Sequence, residues 1–408
     1  MIKKIIISAC LLISFVSFAQ QGTSSPYSFY GIGEARFKGT LEYRTMGGVA
    51  VEQDSIHLNI ENPASYASLG QTTFTVGGTF GTNNIKSSSE SSKAQRSTFD
   101  YLALGIPMGK FGAGFGLIPL SSVGYKISDL NPAPGGVNSQ LEGKGGVNKV
   151  FFGLGYKITP KWNIGADIQY NFGKISTTTI EAVTGVQSAT RETNASELSG
   201  VNFNLGTMYQ TKIDKKLNLY TSLNYTFAST VTSNSTRVIE VDGDPDNISG
   251  DPVENTLKLP NKITFGAGIG EARKWLVGTT LAFQGEGRLN NYYNSSDNIR
   301  YEKASKYAVG GYYIPNYTSF SSYFSRVTYR AGLKFEKTGL IVNNEAINDV
   351  GMTLGAGFPI TGTFSNVNFG IEFGKKGTTS AGLVQENYLN FSLSFSFNDK
   401  WFVKSKFN

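Results

Sequence analysis

Apolar and polar residues alternate with a period of two along most of the chain. From residue 150 to 158 every second residue is large and apolar, and most of the positions between are small or polar. Residues 162–172, 201–206 and 389–397 repeat the pattern. Successive side chains of a strand point to opposite faces, so this period predicts strands with one apolar and one polar face. No comparable stretch of the sequence carries the i, i+3, i+4 stripe of an amphipathic helix.

About fourteen segments fit this strand pattern, and many reach the roughly 9–11 residues with which a tilted strand crosses a bilayer. They span residues 72–81, 98–108, 110–120, 147–158, 161–173, 199–210, 217–230, 261–270, 274–285, 304–313, 325–337, 349–360, 366–374 and 387–397. The connections between them alternate in length. Long polar ones are predicted at 82–97, 121–146, 174–198, 231–260, 286–303, 338–348 and 375–386. Short ones are predicted around Gly109, Thr159-Pro160, Asp214-Lys215, Arg273, Pro315-Asn316 and Gly362.

Alternating long loops and short turns are typical of a transmembrane barrel, whose short turns face the periplasm. The predicted fold class is therefore all-β, a 14-stranded antiparallel transmembrane β-barrel, and an even strand number places both termini on the periplasmic side. The alternative, a soluble β-sandwich, would have a polar outward face. Here one face of many strands is aromatic and aliphatic and the other is Gly, Asn, Ser and Thr, as lipid outside and a hydrated lumen inside require.

Residues 1–19 have the features of a cleaved secretory signal peptide. Two lysines are followed by an apolar run, and a cleavage site follows Ala19. A lipoprotein with Cys10 at its start is disfavoured, because the apolar run before that residue is too short. Residues 20–71 do not alternate, and about 50 residues are more than a simple lead-in needs. Because a barrel of this size has a lumen to fill, we predict an N-terminal plug at 20–71 and the barrel at 72–408.

Composition excludes several classes of function. Cys10 and His57 are the only cysteine and histidine in the sequence. A disulfide framework, a Cys-ligated zinc site, a Cys–His nucleophile pair and a multi-His metal site are therefore excluded. No spacing of carboxylates or of a nucleophile and a base indicates catalysis, so neither an enzyme nor a cofactor is predicted.

The charge of the chain indicates a membrane protein rather than a nucleic-acid-binding one. Charged residues make up 16% of the sequence, well below the roughly 25% of soluble domains. The net charge is +7, but Lys and Arg are spread along the chain rather than gathered in a basic stripe, so nucleic acid is not a predicted partner. Outer-membrane lipid is the partner expected for the apolar face.

Several short motifs resemble one family of barrels. Asn62-Pro63-Ala64, just before the first predicted strand, resembles the NPA signature of the FadL-like (OMPP1/FadL/TodX) outer-membrane transporters. The segment 259–275 is similar to a late-barrel pattern of that family, and residues 25–33, 374–378 and 398–402 resemble a branch common in Bacteroidota. The resemblance implies a 14-stranded barrel with an N-terminal plug, and a role for the Asn62-Pro63-Ala64 turn in a lateral gate.

The resemblance implies an uptake channel for hydrophobic small molecules as the function, with one alternative. FadL-type proteins pass hydrophobic small molecules through the outer membrane and release them sideways, through an opening in the wall beside the plug. Such an exit shortens the path of an apolar ligand through water. Some FadL-like barrels of Bacteroidota instead resemble non-transporting structural subunits of outer-membrane protein assembly (BAM-type) or secretion (type IX) complexes. The expected partners are then either hydrophobic small molecules or other outer-membrane proteins.

Loop composition bears on this choice. The long connections 82–97, 121–146 and 174–198 are rich in Ser, Thr, Asn and Gly and poor in the Leu and Phe that would line a lipid groove. The candidate ligand or partner contacts are four tyrosines, which suit a protein interface equally well. They are Tyr292, Tyr293, Tyr301 and Tyr307.

Three other features have simpler interpretations than the sites they resemble. Asp242, Asp244 and Asp246 alternate as in a calcium loop, but the Gly and Glu that such a loop needs are missing, so a polar external loop is favoured. The Gly-Ala-Gly-Ile-Gly run at 266–270 lies within an alternating strand and predicts lumen-facing small residues rather than a nucleotide site. His57 is interpreted as a hydrogen-bonded structural residue, with titration near neutral pH as the alternative.

Overall fold

The computed structural model describes residues 22–36, 39–242, 248–289 and 298–401, and the predicted signal peptide lies outside these ranges. Helical structure is brief: α1 spans Leu41–Arg44, and 3-10 turns span Pro26–Phe29, Pro63–Ser68, Phe324–Arg326 and Ser380–Gly382. Within the described ranges, none of these segments has the length and apolar character needed to span a membrane as a helix.

The rest of the secondary structure consists of strands. Their bounds are β1 Glu34–Ala35, β2 Thr72–Lys86, β3 Ser91–Met108, β4 Phe111–Asp129, β5 Val137–Thr159, β6 Trp162–Val183, β7 Ala189–Lys212, β8 Asn218–Thr226, β9 Ser229–Val241, β10 Ile248–Ser249, β11 Val253–Leu259, β12 Lys262–Glu271, β13 Trp275–Gln284, β14 Ile299–Tyr301, β15 Ala304–Tyr313, β16 Thr328–Val342, β17 Glu345–Pro359, β18 Asn366–Gly377 and β19 Gln385–Asp399.

These strands form a closed antiparallel barrel of fourteen spans, and the predicted fold class is confirmed. Each span pairs with the next along the chain, and β19 pairs with β2 from Gln385↔Lys86 to Asp399↔Thr72. That last pairing closes the sheet and satisfies two edges that would otherwise expose unpaired backbone groups. The strands β8 and β9 form one span, and β11 and β12 form another, interrupted at Pro260, which has no backbone N–H to donate.

Three of the predicted long polar loops, 82–97, 121–146 and 174–198, are wrong as loops. Much of each long segment before residue 200 continues as paired strand, and the connections that remain at that end are 87–90, 130–136 and 184–188. Strands that project beyond a membrane have water on both faces, so they lose the alternation used to recognise them. The prediction of a short turn around Pro315-Asn316 is wrong in the opposite sense, because a longer loop spans residues 314–327 there.

The two faces of the wall differ as the alternation predicts. On β5, Val150, Phe152 and Leu154 point outward and are 43%, 51% and 46% exposed. On the inner face of β6 and β7, amide side chains form a buried ladder, in which Asn171 donates to Asn202 (2.6 Å) and Asn202 to Gln169 (2.9 Å). These three inward-facing amide side chains are therefore hydrogen-bonded to one another, and the apolar side chains face the surroundings of the barrel.

The N-terminal segment, defined here as residues 22–36 and 39–71, packs against the inner face of the wall. It reaches this close through lumen-facing glycines. A Cβ atom on Gly112 of β4 would lie 1.9 Å from the carbonyl oxygen of Tyr66, and one on Gly310 of β15 would lie 2.2 Å from that of Met46. These strands lie in different parts of the barrel wall, so the segment extends across the lumen.

Replacement of Gly112 by Ala is expected to loosen this packing. The added methyl collides with a backbone atom that cannot rotate away, and overpacking of this kind costs about 1–3 kcal/mol. We expect faster protease cleavage of residues 22–71 and a lower unfolding temperature in detergent, with the barrel itself retained. The matched control is Gly250→Ala, whose Cβ would have its nearest neighbour at 3.9 Å. Equal behaviour of the two variants would contradict this account.

Candidate functional site

The wall has a gap between β3 and β4. These strands pair only from Leu102↔Leu117 to Met108↔Phe111, at the end of the barrel with the short turns. Towards the long-loop end, before Leu102 in β3 and after Leu117 in β4, β3 still pairs with β2 and β4 still pairs with β5. Across these described residues the two strands diverge, and we call the opening the wall gap.

A β-bulge in β3 lies where the gap begins. Gly77 pairs with Tyr101 and the next residue, Gly78, pairs with Phe99, so Asp100 is an extra residue in β3. Asp100 and Tyr101 consequently both point inward and are buried. A bulge bends its strand and increases the local twist. The bend directs the upper part of β3 away from β4 and at the same time places a carboxylate in the lumen.

Strand β1 of the N-terminal segment occupies the edge of β4 that β3 leaves free. It pairs through Glu34↔Ser122 and Ala35↔Ser121, and the Arg36 N–H donates to the Leu120 carbonyl at 3.0 Å. The glycine that precedes β1 fits tightly, since a Cβ on Gly33 would lie 2.4 Å from the Ser122 carbonyl oxygen. At residues 120–122 the backbone groups on this edge of β4 are thus satisfied by the segment that fills the barrel.

Two arginines of the N-terminal segment bind the carboxylate at the bulge. Arg44, at the end of α1, places Nη1 3.0 Å from Asp100 Oδ2, and Arg36 places Nη2 3.8 Å from Oδ1. Their side chains and that of Asp100 are between 8% and 12% exposed. Arg44 also donates to Thr79 at 2.9 Å. Charges buried this deeply are tolerated when they are paired and hydrogen-bonded, so the site ties the segment to β2 and β3 beside the gap.

A second ion pair holds β1 from the opposite side. Lys376 of β18 lies 3.0 Å from the Glu34 carboxylate, which also accepts a hydrogen bond from Thr23 at 2.5 Å. Near it, Ser25 donates to the buried Glu386 of β19. The segment beside the gap is therefore held by charge contacts as well as by backbone pairing.

The Asn62-Pro63-Ala64 motif forms the start of the 3-10 turn Pro63–Ser68. The Asn62 side chain accepts from the Ala64 N–H at 3.0 Å and donates to the carbonyls of Thr207 and Leu223, both at 3.3 Å. The motif lies against β6 and β7, where a Cβ on Gly165 would be 2.4 Å from the Pro63 carbonyl carbon. The motif also contacts Gly155 of β5, so it anchors the segment on the wall from β5 to β7.

Two cavities lie beside the N-terminal segment. One of about 300 Å³ lies towards the long-loop end. Its lining combines the amide ladder with Lys149, Lys262 and apolar residues such as Phe151 and Leu259. The other, of about 400 Å³, lies at the short-turn end, where Arg273, Arg330 and Tyr317 line it with residues 52–57 of the segment.

His57 lies on the wall of the second cavity, paired with Asp54. The Nδ1 atom of His57 is 2.6 Å from the Asp54 carboxylate. Burial lowers the pKa of His57, but the charge and hydrogen bond of Asp54 outweigh it, so the pKa is raised. Burial raises the pKa of Asp54, but His57 outweighs it in turn, so that pKa is lowered. Burial and the Asp54 charge raise the pKa of Glu52 to about 7. The shifts of His57 and Asp54 both favour the ionised form of the pair, and the shift of Glu52 moves its pKa towards neutral pH.

Of the four tyrosines predicted as contacts, the two that the structure describes point to opposite faces of the wall. Tyr301 points inward and its hydroxyl lies against the turn at Gly31, whereas Tyr307 is 41% exposed on the outer face, between Phe283 and Phe335. Tyr292 and Tyr293 lie outside the described residues. Of the aspartates compared with a calcium loop, Asp242 follows β9 and its N–H donates to Ala189, while Asp244 and Asp246 also lie outside the described residues.

Sequence reasoning missed Asp100 and its arginines. A signal was present, because the outward residues Phe99 and Leu102 are three positions apart rather than two, and this spacing marks one extra residue in the strand. No comparable spacing in the sequence identifies Arg36 and Arg44, because they lie in a segment without periodicity.

Replacement of Asp100 by Asn is expected to release β1 from the wall gap. It leaves two buried guanidinium groups without their carboxylate, a loss of about 3–5 kcal/mol. The amide hydrogen of Arg36, bonded to Leu120, should then exchange with solvent about a hundredfold to a thousandfold faster in detergent micelles. Asp129→Asn, an exposed carboxylate at the end of the neighbouring strand, is the control and should leave exchange unchanged. Slow exchange in the Asp100 variant would show that the ion pairs do not hold β1.

The fold and the gap define a class of protein: a 14-stranded antiparallel β-barrel with its N-terminal segment folded inside, a fold that it shares with FadL/TodX-type outer-membrane barrels. A crystal structure of the toluene transporter TodX from Pseudomonas putida aligns over 90% of this chain and 99% of its own, with a TM-score of 0.56 and 16% identity. A FadL homologue from Pseudomonas aeruginosa aligns over the same shares, with a TM-score of 0.59 and 10% identity. At these identities the likeness concerns the fold alone.

The family follows from the sequence of the whole chain. The model of the BamG family matches residues 1–408, and the chain belongs to that family. No curated protein matches the sequence. The resemblance to FadL-like barrels is confirmed for the fold.

Proposed function

We propose that the protein is a structural subunit of an outer-membrane protein assembly complex of the BAM type. The observation that carries this is the N-terminal segment, which crosses the lumen, fills the edge at the wall gap and is held there by buried ion pairs. A barrel occupied in this way acts through its surfaces. Membership of the BamG family supports the proposal, and no enzymatic role is proposed.

The orientation belongs to the same proposal. Residues 1–19 direct export and are removed, residues 20–71 act as a plug, and the barrel 72–408 lies in the outer membrane with its short turns and both termini in the periplasm. The motifs at 25–33, 374–378 and 398–402 support a place in the Bacteroidota branch of FadL-like barrels. Periplasmic turns face the side on which unfolded outer-membrane proteins arrive.

Purification from native outer membranes tests this function. A tagged full-length protein, extracted in mild detergent, is expected to elute as a stable complex that contains a barrel-inserting subunit. Depletion of the protein should reduce the amounts of several unrelated outer-membrane barrels, measured by quantitative mass spectrometry. A tagged barrel of similar size serves as the control for extraction. Elution as a lone monomer together with unchanged levels of other barrels would refute the proposal.

The wall gap favours a second candidate, a channel for hydrophobic small molecules with lateral release. The pairing of β3 and β4 ends at Leu102↔Leu117, and Ile32, Ala35 and Leu120 beside the gap also line the 300 Å³ cavity. A ligand in that cavity could reach the gap if β1 moved. The solved toluene transporter with the same fold supports this candidate, and the polar amide ladder in the cavity weighs against a purely apolar cargo.

A disulfide between β1 and β4 separates the two candidates. Ala35 and Ser121 are directly opposed, and such pairs have Cα atoms about 4.5–5.5 Å apart, within reach of a disulfide. The only native cysteine, Cys10, lies in the predicted signal peptide. If release occurs through the gap, oxidised Ala35→Cys/Ser121→Cys should lose most uptake of labelled toluene and regain it after reduction. The control Thr75→Cys/Ser396→Cys bridges the wall away from the gap. Equal toluene uptake by the oxidised and the reduced protein would exclude lateral release through the gap.

A further inference from the structure

Basic residues gather on one side of the short-turn end. Four turns that follow one another around the barrel join β3 to β4, β5 to β6, β7 to β8 and β12 to β13. In and beside them lie eight Lys or Arg residues and two acidic ones, Asp214 and Glu271. The basic residues are Lys110, Lys157, Lys161, Lys212, Lys215, Lys216, Arg273 and Lys274, and we call them the basic arc. Most of their side chains are exposed.

Apolar aromatic residues occupy the other side of the same end. The two remaining described turns, 314–327 and 360–365, contain one charged residue, Arg326. Four of their aromatic residues are exposed, Phe320 fully and Phe324 by 68%. They are Phe320, Tyr323, Phe324 and Phe364, and we call them the aromatic patch. The six described turns of this rim are thus divided into a basic half and an aromatic half, and the exposed residues Lys400 and Trp401 follow β19 at the same end.

The loop that carries most of the aromatic patch is ordered by contacts with its neighbours. The Tyr323 hydroxyl donates to the Pro359 carbonyl at 3.0 Å, and the Asn316 N–H donates to Ser325 at 2.8 Å. Arg273 of the basic arc stacks on Tyr317, with 5.2 Å between the guanidinium carbon and the ring centre. Tyr317 also lines the 400 Å³ cavity in the lumen mouth. The loop therefore contacts the turns on both sides of it and lines the cavity.

We infer that this rim is a docking surface for an acidic segment of a periplasmic protein, with an apolar side chain seated on the aromatic patch and carboxylates on the basic arc. Charge complementarity argues for the carboxylates, since the arc has an excess of cations. Exposed aromatic residues are typical anchors of protein interfaces. This inference rests on the proposed function for the placement of the rim in the periplasm, and it names the chemistry of one partner.

The division of the rim favours a protein over lipid headgroups. A bilayer surrounds the barrel on all sides, so charges that served to attract anionic lipid would be expected at every turn. Here eight of the described cations lie in or beside four consecutive turns, and the remaining two described turns carry one cation between them. A protein segment that lies across the lumen mouth places its carboxylates on the basic half of the rim and its apolar side chain on the aromatic half.

Photo-crosslinking in native outer membranes tests the inference. The photoreactive residue p-benzoylphenylalanine replaces Phe320 in the full-length chain, and the same residue at Val186, 58% exposed at the opposite end, is the position control. We expect a discrete protein adduct at Phe320 only, with a crosslinked peptide rich in Asp and Glu. The absence of a protein adduct, or a product that contains phospholipid alone, would overturn the inference.

Charge reversal supplies the decisive comparison. In Lys212→Glu/Lys215→Glu/Lys216→Glu the adduct should fall about tenfold, because three exposed attractions become repulsions. It should also fall when salt is raised from about 0.1 to 0.5 M. The matched variant Lys93→Glu/Lys126→Glu/Lys144→Glu makes the same charge change at the long-loop end and should leave the adduct intact. An unchanged amount of adduct in the triple variant of the basic arc overturns the inference. If the native complex still purifies with that variant, the proposed function stands without this surface.

Discussion

The closure of the sheet is the constraint on which the rest of the structure depends. A wall that contacts lipid cannot leave backbone N–H and C=O groups unpaired, and the pairing of β19 with β2 removes the last two edges. At the wall gap this constraint is met differently. There the bulge at Asp100 ends the pairing of β3 with β4, and β1 supplies the partner that β4 lacks.

The bulge at Asp100 has two structural effects. It bends β3, which opens the gap, and it turns the Asp100 carboxylate inward, where Arg36 and Arg44 bind it. The opening and the contact that fills it are therefore produced together. Glycines elsewhere on the inner face let the N-terminal segment approach the wall at backbone distance, so the same segment that fills the gap also crosses the lumen.

Transport and assembly place different demands on this arrangement. Lateral release needs β1 to leave β4, which means separating buried ion pairs and backbone hydrogen bonds at the same time. A subunit that presents surfaces needs the segment to stay. The divided rim at the short-turn end adds a feature that the movement of a small apolar molecule does not call for, and it is consistent with a role in which the barrel meets other proteins.

The sequence by itself determined the fold class and the position of all fourteen spans, because lipid on one side and water on the other impose a period of two on every membrane-crossing strand. It missed the strand extensions beyond the membrane, where both faces are wet and the period vanishes. The sequence also located the Asn62-Pro63-Ala64 motif. The packing of this motif against β6 and β7 depends on glycines that are distant from it in sequence. Only the tertiary structure brought Asp100 to Arg36 and Arg44 and separated Tyr301 from Tyr307 onto opposite faces. Such contacts depend on the register of strands across the barrel and on the path of a segment without periodicity, and neither is encoded in the local pattern of residues.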